Sequence, residues 1–130
     1  LQLSHATAEN LARAAFEGVL CGLADGLEAV LALGVQPRRS LMVGGGAAAP
    51  AMRALAPVVL GLPVQVPVAS EYVADGAARQ AAWVASGTLE APDWPLAGSI
   101  LFDAAPVPSV RQQYAEVRAM VRMRTEGRAG

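Results

Sequence analysis

Three consecutive glycines, Gly44, Gly45 and Gly46, are the residues of this 130-residue chain best suited to ligand chemistry, through their backbone rather than their side chains. They follow the short apolar run Ser40-Leu41-Met42-Val43 and precede a segment of helical apolar spacing that begins at Pro50. Glycine lets the main chain approach a ligand with no Cβ in the way and tolerates positive φ. The N-terminus of the helix that follows adds N–H groups with no intrahelical acceptor. Open parallel sheets bind ligands at the carboxyl ends of their strands, where such a turn would lie. The pattern therefore predicts either a nucleotide cradle or a tight strand-to-helix connection. It is not a Walker loop, because no Gly-Lys-Ser/Thr follows, and it is not GxGxxG, because Ala49 stands where the last glycine belongs.

The other candidates are weaker. His5 is the only histidine and sits near the terminus, where a surface role is expected. Cys21, among Val19, Leu20 and Leu23, is expected to be a small core residue rather than a nucleophile. Asp25 and Glu28 share a helix side at i,i+3, the spacing of an acid/base pair, but with no basic or aromatic frame near them in sequence they are expected to be solvated. Asp75 and Arg79, like Arg13 and Glu17, lie at i,i+4 and predict intrahelical ion pairs. Tyr72, Trp83, Trp94 and Tyr114 are too scattered for a base-stacking platform.

The elements that must position these residues alternate along the chain. A long helix is predicted over 7–33, with Thr7 as N-cap and Gly34 and Pro37 as its stop. Its polar stripe is thin (Asn10, Arg13, Glu17, Glu28), so it needs neighbours on more than one side. Residues 40–43 are predicted to form a buried strand and 50–60 a second helix ended by Gly61, with Pro57 inside it as a potential kink. Residues 64–66 form a second strand, expected to be parallel to the first. A third helix runs over 72–86 to Gly87, its alanines allowing close packing on a sheet. A loop follows through Pro92, Trp94, Pro95 and Gly98, and a terminal helix covers 109–124.

Composition narrows the function classes. The chain is 54% hydrophobic and 16% charged with a net charge of -1, which excludes a disordered tail and makes nucleic acid an unlikely partner. No uninterrupted apolar stretch approaches a bilayer span, so no membrane partner is expected. A single cysteine permits no intramolecular disulfide and predicts a reducing compartment, the cytoplasm. The chain opens with Leu1, without a basic leader, and is expected to be part of a longer polypeptide. Residues 1–107 carry a net charge of -4 and 108–130 of +3. Arg111, Arg118, Arg122, Arg124 and Arg128 of the tail predict a solvated helix face in preference to a docking surface for an acidic partner.

Four segments taken together are more specific than any one of them: LARAAFEG at 11–18, GGGAAAP at 44–50, GLPV at 61–64 and EYVADGAARQAAW at 71–83. Their order and spacing resemble the C-terminal domain of the FGGY carbohydrate kinases, and the last segment most resembles the xylulose kinase branch. The resemblance implies an α/β fold, part of an actin-like, ribonuclease H-like ATPase domain, ordered helix-strand-helix-strand-helix plus a terminal helix. Residues 1–107 would be the partial kinase domain and 108–130 a terminal helical tail.

By the same resemblance, Gly44, Gly45, Gly46 and Ala47 match the family's adenosine motif, and ATP with Mg2+ is the implied cofactor. The implied reaction of the full-length enzyme is ATP plus D-xylulose to ADP plus D-xylulose 5-phosphate. Ala49, Met52, Ala54 and Val58 depart from the polar residue, Trp, Gln and Asp that relatives often carry. The catalytic base and the phosphate-binding hairpins of relatives lie upstream of the segment matched here, so no catalytic residue is assigned and the chain alone is expected to be inactive. A sheet this small, beside a helix apolar nearly all round, is expected to be completed by a homo-oligomer. The alternative is a non-catalytic nucleotide-binding or assembly module of the same fold.

Overall fold

The computed structural model describes residues 3–95 and 98–126, and the side chains of Leu3 and of 122–126 are not among those described. Arg122 and Arg124, as side chains, and the whole of Arg128 therefore lie outside the described residues. After a single 3-10 turn, Leu3–His5, come α1 (Ala8–Ala32), α2 (Pro50–Leu60), β1 (Val64–Pro67), α3 (Tyr72–Ser86), β2 (Ser99–Phe102) and α4 (Pro108–Glu126).

The helix boundaries follow local chemistry. Thr7 has extended backbone and its hydroxyl accepts from the Asn10 amide at 3.3 Å, closing the first turn of α1. Pro50 occupies the first turn of α2, where its missing N–H costs nothing, and Gly61 and Gly87 close α2 and α3 in left-handed conformation. Pro57 does not split α2. Its ring is fully buried, and apolar burial compensates the lost helical donor.

The sheet departs from the expected one in two ways. Residues 40–43 do form a parallel pairing with β1, but only as one bridge, Leu41 to Gln65. It is held by Met42 N–H to the Gln65 carbonyl and Gln65 N–H to the Ser40 carbonyl, both 2.9 Å. This segment is not buried: Leu41 and Val43 are 39% and 50% exposed. The second difference is β2, which the sequence does not announce and which pairs antiparallel with β1, Val64 opposite Phe102 and Val66 opposite Ile100. A four-residue apolar run between proline-rich loops carries too little periodicity to be told from a loop.

One core joins α1, α2, β1 and the glycine turn: Leu20, Cys21, Ala47, Met52, Ala56, Val59, Val64 and Val66. Phe16, Phe102, Val110 and Tyr114 pack around it. Only Leu20, Cys21 and Ala24 of α1 are buried, while Leu11, Val19 and Leu23 remain more than half exposed. Contrary to the expected sheet packing, no residue of α3 is buried. That helix is tied instead to the chain that follows it, through Trp83 Nε1 to the Thr88 carbonyl at 3.0 Å and Trp94 Nε1 to the Asp75 carboxylate at 3.0 Å.

The two tail arginines whose side chains are described are engaged within the chain, Arg111 half-buried and Arg118 still exposed. Arg111 and Arg118 of α4 pair with Asp25 and Glu28 of α1. Glu28 remains solvated as expected, whereas Asp25 is half-buried, and the pairing of both with arginines is what the sequence did not announce. Helix α1 crosses close to α4, and ion pairs between helices distant in sequence are invisible to i,i+4 reasoning. No described helix is long and apolar enough to cross a membrane.

Candidate functional site

The glycine run is a corner. Gly44 has φ 88° and ψ -177°, a conformation essentially closed to side-chain-bearing residues, and it turns the chain out of the Leu41 bridge. Gly45–Ala48 then form one 3-10 turn, closed by Ala47 N–H to the Gly44 carbonyl at 3.0 Å and Ala49 N–H to the Gly46 carbonyl at 3.2 Å. Ala47 points its methyl into the core and is 7% exposed, so the turn is pinned from below while its glycines face outward.

A side chain not marked by the sequence motif holds the turn from the other side. Arg53, one turn into α2, donates from Nε to the Ala47 carbonyl at 2.5 Å and from Nη2 to the Ala48 carbonyl at 2.8 Å. A planar guanidinium spanning two successive carbonyls fixes their orientation, because both bonds are charge-assisted and leave from one rigid fork. The available signal was the placement of an arginine three residues after the first residue of a helix that follows a tight turn.

The turn forms one wall of an open cleft of about 740 Å3, within the range of small-molecule sites. Gly44, Gly45, Ala47 and Arg53 line it together with Val66, Glu71, Tyr72 and Phe102. Gly46 is adjacent in the turn but does not line the cleft. The Tyr72 hydroxyl donates to the Val68 carbonyl, which holds its ring at the start of α3.

The glycines at 45 and 46 are not demanded by the fold itself. Neither has positive φ, and a Cβ built on either meets nothing within 4 Å. Their amides have no acceptor among the described residues. Bare, outward-facing main chain with free donors beside a cleft suits a ligand that lies flat against the backbone and carries acceptors.

The remaining candidates are dispersed. His5 is exposed at the N-terminal turn. Cys21 is 1% exposed in the core, and burial pushes its thiol pKa up, which leaves it inert as a nucleophile. Arg13 and Glu17 pair as expected at 2.7 Å. Asp75 and Arg79 do not pair: Asp75 accepts from Trp94, and Arg79 donates to the Pro92 carbonyl at 3.3 Å. The loop that folds back along α3 brings competing partners that the helix alone does not have. Among the described residues, no group of three His, Cys, Asp or Glu side chains converges as a metal site.

Three comparisons place this architecture. Residues 2–85 match the profile of the FGGY family of carbohydrate kinases, C-terminal domain. Xylulose kinase from Streptomyces coelicolor is 40% identical over 82 residues, 62% of this chain and 17% of that protein. The crystal structure of xylulose kinase from Bifidobacterium adolescentis superposes with a TM-score of 0.76 at 47% identity, covering 91% of this chain and 23% of that one. The chain thus spans less than a quarter of the length of these relatives. Helices, small sheet and glycine turn together make this chain a member of the FGGY family of carbohydrate kinases, carrying part of its C-terminal, actin-like ATPase domain.

Proposed function

We propose that this chain is the nucleotide-side lobe of a xylulokinase-like carbohydrate kinase, and that the cleft beside Gly44, Gly45, Gly46 and Ala47 receives the adenosine end of ATP. Gly45 carries this reading. It lines the cleft, its φ is not positive, and a Cβ there would meet no protein atom within 4 Å, so its bare main chain is open to what enters the cleft. Ala47 anchors the turn in the core and Arg53 orients its carbonyls, so both position the surface that the nucleotide would meet.

The complete kinase would transfer the γ-phosphoryl group of ATP to D-xylulose, in the cytoplasm, as a step of xylose metabolism. This chain's part is to bind and orient the nucleotide. Glu71 is the one carboxylate lining the cleft, and Mg2+ is commonly held by substrate phosphates with only one or two carboxylates, so the ion is assigned to the nucleotide phosphates. Phosphoryl transfer rests on positioning and charge stabilisation by base, metal and phosphate clamps. No such base is assigned here, and the chain alone is expected to release no ADP in the presence of xylulose. Residues 1–107 are assigned to the partial kinase domain and 108–130 to its terminal helical tail.

The chain exposes 9704 Å2. A compact monomer of 13.3 kDa is expected to expose about 6,450 Å2. That excess, together with the open apolar side of α1, supports further polypeptide packed against it, a second copy of this chain included. Nothing in the fold or its relatives favours a non-catalytic module.

Titration of ATP against the chain and its Gly45→Val variant tests the site. Saturable binding that the variant abolishes is the expected result; equal binding by both proteins would remove the glycine turn from the nucleotide site.

A further inference from the structure

Arg38 and Arg39 stand apart from every other arginine whose side chain is described. Arg13 pairs with Glu17, Arg53 with two carbonyls, Arg79 with the Pro92 carbonyl, and Arg111 and Arg118 with carboxylates of α1. Arg38 and Arg39 have no hydrogen-bond or ion-pair partner among the described residues. Both line a hollow of about 260 Å3 together with Ser40 and Gln65, whose side chains likewise have no hydrogen-bond partner among the described residues. Leu62 and Leu101 supply apolar wall, and no carboxylate lines the hollow.

The hollow is separate from the cleft at the glycine turn. Side chains alternate across a strand, so Gln65 and its cross-strand neighbour Leu101 face one side of the β ribbon, and Val66, Ile100 and Phe102 the other. The cleft is lined from that second side, and the two cavities share no residue.

We propose that this hollow is a second anion site, which takes a phosphate group, free or as the ester of a small metabolite. Two guanidinium groups lining one hollow with no carboxylate leave it positively charged until a counter-charge enters, and a guanidinium fork matches a pair of phosphate oxygens. Phosphate near neutral pH carries a charge between one and two, which two arginines balance. The Ser40 hydroxyl and the Gln65 amide add neutral donors of the kind that complete phosphate sites, and the leucines suit the carbon part of an ester. An acidic protein segment is the less favoured occupant, because a hollow of this volume admits a compact group rather than an extended chain.

The test is titration of the full chain with inorganic phosphate and, in a second arm, glycerol 3-phosphate, followed by amide NMR shifts against sodium chloride at matched ionic strength. Saturable shifts at Ser40, Gln65 and Leu101 are expected, with the tighter of the two arms identifying free or esterified phosphate. The R38Q/R39Q double variant should weaken binding about tenfold or more. Should it misfold, R38Q and R39Q singly are each expected to weaken binding severalfold, and Gly45→Val to leave it unchanged. Shifts no larger than those caused by chloride, or unaffected by the arginine substitutions, would overturn the proposal. So would shifts abolished by Gly45→Val, or binding of a hexaglutamate peptide without binding of either phosphate.

Discussion

One nitrogen of Arg111, Nη1, donates both to the Asp25 carboxylate at 2.9 Å and to the Cys21 carbonyl at 2.8 Å. Its other terminal nitrogen reaches Glu28 at 2.5 Å, and Arg118 completes the group by pairing with the second oxygen of Asp25. A single guanidinium thus reads one face of α1 over two turns and fixes α4 against it. The hydrogen bond to Glu28 is the main influence holding the Arg111 pKa above its ordinary value, with burial opposing it, so the arginine remains charged at every working pH.

Arg111→Ala is expected to lower stability by about 1.5 to 3 kcal/mol, because it removes hydrogen bonds of a charged group that is only 19% exposed. Arg13→Ala, whose side chain is 58% exposed, should cost no more than about 0.5 kcal/mol. Urea denaturation of both variants measures the difference. Equal losses would show that the α1–α4 clip is no stronger than a surface pair.

Gly44 and Gly45 should separate by phenotype. Gly44→Ala forces a side chain into φ 88° and is expected to destabilise by about 1 to 3 kcal/mol. Gly45→Ala meets no steric neighbour, so stability should change by less than about 0.5 kcal/mol while ATP affinity falls. Thermal melts and calorimetric titrations on the same samples check this, and a Gly45→Ala protein with unchanged ATP affinity would contradict it.

Arg53→Ala removes both restraints on the Ala47 and Ala48 carbonyls. Faster hydrogen exchange across residues 45–48 and an ATP affinity about tenfold lower are expected. Arg53→Lys, which keeps the charge but not the fork, should recover only part of the loss. Full recovery by lysine would mean that charge, not geometry, is what the turn requires.

Cys21 supplies a pH dependence. Burial raises its thiol pKa in the folded state, so above the pKa of the unfolded chain, about 8.5, the unfolded form loses its proton first. Stability from this group is therefore complete below that pH and declines as pH rises towards the folded value. Denaturation midpoints between neutral and alkaline pH should fall more steeply for the natural chain than for Cys21→Ala. Parallel slopes would show that the thiol is not the titrating group.

Much of the fold was legible because it is set within a few residues. Thr7, Pro50, Gly61 and Gly87 mark helix ends by chemistry that acts inside one turn, and the triple glycine marks a corner for the same reason. The four ordered segments also identified the family, since they lie in the region that the family profile matches. Strand β2 was not legible, because the pairing that defines it joins Val64 to Phe102 across the whole of α3.

The same division runs through the candidate site. Sequence alone determined that Gly44 to Ala47 form a bare turn after an extended segment, since glycine's missing Cβ acts locally. Only the tertiary structure decided that Arg53 clamps that turn, that Tyr72 and Phe102 line the cleft it borders, and that Arg111 belongs to Asp25 rather than to solvent. Hydrogen bonds and ion pairs act over a few ångströms of space, and which charges come within that reach is settled by how helices and strands pack, not by their separation along the chain.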